Sequence, residues 1–251
     1  MNMHEKFRME RIEGIAEQGK DEEARRLSQA WISHPGLHQY SYNFSWLGRP
    51  IIQYPQDIVA MQELIFTVQP DLIIETGIPH GGSLILYASL LELNAMCGGQ
   101  QNFSVLGIDI DIRAHNREAI ESHPIFQRGH ITMLEGSSID ADMVAKVHKF
   151  AAPYKRIMVL LDSNHTHDHV FSELTAYAPL VSVGSYCVVF DTVIENMAAD
   201  AYPDRPWGKG NNPMTAAGAY LASHPEYMHD EMMDSKLLIS VAPKGFLKRI
   251  A

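Results

Sequence analysis

Four carboxylates stand where chemistry can be done. Glu75 in DLIIETG, Asp109 in VLGIDID, Asp162 in IMVLLDS and Asp191 in VVFDT each close a short apolar run. Ligands of an open parallel sheet bind outside the carboxyl ends of its strands, so acids repeated at those ends say more than any single motif. Directly behind Asp162, the segment LLDSNHTHDHV carries Asn164, His165, His167, Asp168 and His169. Asp162 and Asp191, ending neighbouring strands, form a pair of hard oxygen donors suited to a Mg²⁺-like ion. Such an ion lowers the pKa of an acceptor hydroxyl and fixes its position. His165 or His167 then serves as general base, since imidazole titrates near neutral pH.

A competing reading takes HTHDH as a metal cluster like the H-x-H-x-D-H of metallo-β-lactamase-type hydrolases, but one residue is missing before the aspartate. ETGIPHGGS, between an apolar run and a helical pattern, allows a tight turn at Gly77 and close ligand approach at Gly81 and Gly82. It is not the dinucleotide fingerprint, and Glu75 would repel a pyrophosphate, which counts against a nicotinamide oxidoreductase. A phosphate-free cofactor with a cationic amino-acid moiety fits, with His80 and Ser83 in the same turn either touching it or simply filling the loop. Asp109 is placed to accept from both ribose hydroxyls. Ser137 and Ser138 in EGSS either meet a base edge or cap a helix.

The elements that position these residues alternate regularly. Strands are expected at 71–76, 104–109, 130–135, 157–162 and 185–191, with helices at 55–68, 82–93, 113–121, 139–149, 167–178 and 214–223. That pattern means a mostly parallel sheet with helices on both faces. KLLISV and FLKRI around APKG predict a closing hairpin. Residues 192–212 predict a long surface loop, with Trp207 and Lys209 able to close over substrate. Residues 1–50 read as a helical extension, broken near Gly19, and 51–251 as the main domain. Trp31, Tyr40, Tyr42, Phe44 and Trp46 fit core packing better than sugar stacking.

Twenty Lys plus Arg against thirty Asp plus Glu, a net charge of −10, oppose nucleic-acid and anionic-lipid partners. Cys97 and Cys187 do not form a disulfide framework, and no run of the chain is apolar enough for a signal or membrane span. A cytoplasmic protein is expected.

Taken in order, LGRPIIQYPQD, DLIIETGIPHGGS, GIDIDIR, EGSSID, LLDSNHTHDHVFSEL, YAPLVSVGSYCVVFDT and WGKGNNP resemble the cephalosporin hydroxylase family over roughly residues 45–220. The resemblance implies a class I methyltransferase fold, three-layered and Rossmann-like, with a seven-stranded sheet whose last strand is antiparallel. It implies S-adenosylmethionine as cofactor, with Glu75, Gly77 and Gly81 at its methionine end, Asp109 on the ribose, Ser137 or Ser138 near the adenine, and Asp162 at the reacting end. Methyl transfer to a hydroxyl of a sugar, polysaccharide, glycolipid or secondary metabolite follows, with or without Mg²⁺, and assembly as a homo-oligomer. Metal-dependent relatives carry an acidic pair at the end of the fifth strand, whereas here Phe190 precedes Asp191, so Asn164, Thr192 or water would complete the metal's shell. The alternative is a protein of this fold that binds cofactor without catalysis.

Overall fold

A computed structural model of the chain describes residues 2–34 and 39–251. Helices α1 (Met3–Lys20) and α2 (Glu22–Ile32) lead into a two-stranded hairpin, β1 (Phe44–Trp46) and β2 (Arg49–Ile51). Then come α3 (Pro55–Val68), β3 (Leu72–Thr76), α4 (Gly82–Met96), β4 (Ser104–Asp109), α5 (Ala114–Glu121), β5 (Ile131–Glu135), α6 (Ala141–Ala151), β6 (Ile157–Leu161), α7 (His167–Tyr177) and β7 (Tyr186–Val189). The chain closes with α8 (Pro213–Ser223), β8 (Tyr227–His229), α9 (Glu231–Leu237) and β9 (Phe246–Arg249).

Seven strands form one sheet in the order β5-β4-β3-β6-β7-β9-β8, in which β9 alone runs opposite to the other strands. Strand β3 is buried along its whole length because helices cover both faces, which is why its sequence is a continuous apolar run. One core layer lies between the sheet and α2, α3, α4, α5 and α9; the other lies beneath α6, α7 and α8. Register fixes the site: Thr76 of β3 pairs with Ile108 of β4 and with Leu161 of β6, so three strands end level. The residues that follow them share one rim.

The alternating helices and strands fall where the sequence places them, with one correction. The apolar run KLLISV is not a strand. Lys236 and Leu237 finish α9, and the next residues are drawn to α3, where buried Asp57 accepts from Ser240 Oγ at 2.6 Å and from Val241 N at 3.0 Å. β9 pairs instead with β7 and β8. The N-terminal helices part near Gly19, as expected: α1 runs to Lys20, and Asp21 caps α2 by accepting from Ala24 N. Gly19 is needed for packing, since a Cβ there would lie 2.1 Å from Ser235 Oγ of α9. Gln18 fastens the same contact by donating to the carbonyls of Ser235 and Lys236. No helix of the described residues is long and apolar enough to cross a membrane.

Candidate active site

A cavity of about 400 Å³ opens at the carboxyl ends of the parallel strands. Sheet order arranges its lining from one end to the other: Ser137 and Ser138 after β5, Asp109 on β4, Gly77 after β3, Asp162 after β6 and Asp191 after β7. His165, His169, Arg205, Trp207 and Tyr42 complete the walls.

The glycine turn is packed tightly against the rest of the fold. A Cβ on Gly77 would sit 2.1 Å from the Asp162 carbonyl oxygen, one on Gly82 2.1 Å from the Pro50 carbonyl, and one on Gly81 2.4 Å from the Ile120 side chain. Protein fills the Cβ side of each glycine, while Gly77 lines the large cavity and Gly81 and Gly82 line a small cleft beside it. Gly77 has φ +95 and Gly81 φ +76, so each also supplies a left-handed turn. The turn is braced from outside by Arg49, which donates twice to the His80 carbonyl, and by Asn116, which donates to the Pro79 carbonyl.

Glu75 lies beneath this turn, fully buried, and does not line the large cavity. Its Oε2 accepts from Ser83 Oγ at 2.8 Å while Oε1 has no partner. Burial pushes its carboxyl up to about 8, against the Ser83 bond, which favours the anion. Next to it is a small cleft of about 20 Å³ lined by Gln53, His80, Gly81, Ser83 and Asp162 among others, and Gln53 Oε1 is likewise buried without a donor. Asp109 is already half engaged: Oδ2 accepts from Ile78 N at 2.7 Å and Oδ1 from Asp111 N at 3.0 Å. Each oxygen retains a second lone pair.

At the other end Asp162, His165 and Asp191 bring their donor atoms within 4.8 Å of one another. His165 Nε2 is 3.2 Å from Asp191 Oδ2, and Trp207 meets the same imidazole edge-on at 4.8 Å between centroids. Asp191 stands in the left-handed region at φ 54, so two consecutive residues part company: Phe190 goes into the core and Asp191 to the cavity. The Asp162 carboxyl is pushed well up, by burial first and then by repulsion from Asp191 and Glu75.

The three histidines of HTHDH scatter. His167 Nδ1 bonds Thr215 Oγ1 of α8 at 2.9 Å and lies outside the cavity lining, because α7 begins there and turns its side chain toward α8. His169 turns to Glu173, and only His165 joins the carboxylates. The motif is therefore no single metal cluster. Thr192 is also unavailable as a ligand, being buried with its hydroxyl donated to the Pro243 carbonyl at 2.6 Å. Asn164 uses its side-chain oxygen to accept from Thr166 N and Oγ1. Ser138 does not cap α6, where Asp140 holds the N-cap position; its hydroxyl goes to Glu173. Glu173 and Ser163 were missed from the sequence. The signal was His169 and Glu173 four residues apart on one helix face.

A family model described as rhamnosyl O-methyltransferase/CmcI matches residues 38–250. A rhamnosyl O-methyltransferase of Mycobacterium tuberculosis (strain H37Rv) is 31% identical over 195 residues, 77% of this chain and 73% of that protein. A rhamnosyl O-methyltransferase of Mycobacterium leprae is 28% identical, with 82% of each chain covered. Among solved structures, CmcI with Mg and SAM superposes with a TM-score of 0.55 at 20% identity, over 84% of this chain and 78% of that one. TomG, an O-methyltransferase from Streptomyces achromogenes solved with SAM, superposes with a TM-score of 0.54 at 17% identity, over 92% and 91% of the two chains. These structures share the fold; the relatives and the model, matching most of the chain, establish kinship: this protein belongs to the rhamnosyl O-methyltransferase/CmcI family.

Proposed function

We propose that this chain transfers the methyl group of S-adenosylmethionine to a hydroxyl of a sugar, borne on a glycolipid, a surface polysaccharide or a secondary metabolite. The observation that carries this reading is a single cavity that holds Asp109 toward one end and the Asp162–His165–Asp191 cluster at the other. Kinship with rhamnosyl O-methyltransferases supports a sugar as acceptor.

The residues fit the cofactor. Glu75 Oε1 and Gln53 Oε1, two buried acceptors without donors, suit an ammonium group, and Asp109 keeps lone pairs for ribose hydroxyls. The acidic rim suits a sulfonium. When bound, S-adenosylmethionine supplies a methyl group on a positively charged sulfur that leaves as a neutral thioether. Asp162 and Asp191 also offer the oxygen donors that Mg²⁺ takes, and CmcI solved with Mg and SAM supports that use.

His165 manages the acceptor's proton. Its Nε2 lies 3.2 Å from Asp191 Oδ2, so the imidazolium formed when the ring takes the proton is steadied by that carboxylate. Trp207 holds the ring in place and, with Tyr42, gives the acceptor an aromatic wall. Orientation supplies most of the acceleration.

Cys97 and Cys187 are both free, which supports a cytoplasmic setting. Met3, Phe7, Met9 and Ile12 stand exposed on α1, which supports self-association; sedimentation as a monomer would remove that proposal. The central test incubates the protein with S-adenosylmethionine, Mg²⁺ and a panel of rhamnosides. Acceptor-dependent S-adenosylhomocysteine is expected. Formation with none of the sugars, together with no cofactor binding by calorimetry, overturns the reading.

A further inference from the structure

His169 and Glu173 have no part in the roles above, yet with two serines they form a bonded cluster at the cavity, in which only Glu173 Oε2 is buried without a partner. Glu173 is fully buried on α7, and its Oε1 receives two hydroxyls, Ser138 Oγ and Ser163 Oγ, each at 2.6 Å. A hydroxyl has one proton. Having given theirs to Glu173, the serines face His169 Nε2, at 3.1 and 3.3 Å, with lone pairs only. Nε2 must therefore carry hydrogen, and the nearby carboxylate oxygen at 3.5 Å favours the same assignment. In the neutral ring the free lone pair is left on Nδ1.

That nitrogen has no protein partner among the described residues, while His169 lines the cavity beside Ser137 and Ser138. The same end presents Ile110, 74% exposed and directly after Asp109, as an apolar surface for a flat ring. Resting on the S-adenosylmethionine reading, the geometry points to His169 Nδ1 as the acceptor that reads the exocyclic amino group of the cofactor's adenine. Glu173, acting through Ser138 and Ser163, is the positioning residue that keeps His169 in this tautomer. A base with a carbonyl in place of that amino group would set lone pair against lone pair.

The test is calorimetry on the full chain near pH 8 with two ligands, S-adenosylhomocysteine and S-inosylhomocysteine. Wild type is expected to prefer the adenosyl ligand by about tenfold or more. His169→Phe keeps a flat ring without an acceptor; it should weaken the adenosyl ligand about tenfold and bring the two within about threefold. His169→Gln, whose amide can turn either way, should level them as well and guards against misfolding of the Phe variant. Glu173→Gln should narrow the preference by loosening the tautomer, which a merely structural carboxylate would leave unchanged. Equal binding of both ligands by wild type, or an undiminished preference in His169→Phe, overturns the inference. Binding of neither by wild type is a different outcome and takes the cofactor reading down with it.

Discussion

The two ends of the cavity are built on opposite plans. At the β4–β5 end most polar atoms are already bonded to protein: Asp109 to two backbone amides, Ser138 to Glu173, and Glu173 Oε1 to a second serine. At the β6–β7 end, among the described residues, no donor reaches the Asp162 carboxylate, and it faces Asp191 and Glu75 instead. The difference separates binding from reaction. A group whose bonds are set in advance can read a ligand without reorganising, whereas a group that must move a proton or hold a cation needs its lone pairs free. The backbone fixes where these carboxylates stand, through the close approach of Gly77 to the Asp162 carbonyl and the left-handed turn at Asp191.

The largest effect should come from exchanging damage between the two ends. Asp162→Asn is expected to lower turnover by about 10³-fold while leaving the dissociation constant for S-adenosylmethionine within about threefold. Asp109→Ala should do the reverse. It removes the carboxylate that holds the Ile78 amide as well as the proposed ribose contact, so affinity should fall by about 10- to 100-fold with a smaller change in turnover at saturation. Calorimetry and single-turnover rates on both variants decide the matter. If Asp162→Asn weakens the cofactor as much as Asp109→Ala does, the division of labour is gone.

How much of this was legible depended on the range of the interactions involved. The strands and the acids that close them could be read because a buried strand is a local pattern, an apolar run with one polar residue at its end. The glycines could be found, but not the neighbours that crowd them, the Asp162 carbonyl, the Pro50 carbonyl and the Ile120 side chain, all distant in sequence. His165 and His167 looked interchangeable because a single residue separates them. The start of α7 sends one to Asp191 and the other to Thr215. KLLISV reads as a strand by composition, yet a buried aspartate of α3, some 180 residues earlier, claims its Ser240 and Val241. A short apolar run cannot reveal that partner.

That aspartate offers the smallest and sharpest probe of the comparison. Asp57 is as fully buried as Glu75, but unlike Asp162 it has donors, Ser240 Oγ and Val241 N. Burial raises its carboxyl from the ordinary 3.8 to about 7, and the two donors oppose that rise. With the folded value above the unfolded one, the native state binds the extra proton. Its contribution to stability is present below about pH 4, is lost as pH rises through about 7, and changes little beyond. Asp57→Asn has the same shape and cannot titrate. The unfolding free energy of wild type minus that of Asp57→Asn should therefore fall between pH 4 and pH 8, by no more than about 4 kcal/mol. Denaturant titrations across that window check it. A flat difference would mean that two donors are enough to keep a buried carboxylate ionised here, and that the lack of such donors, more than burial itself, is what sets Asp162 apart.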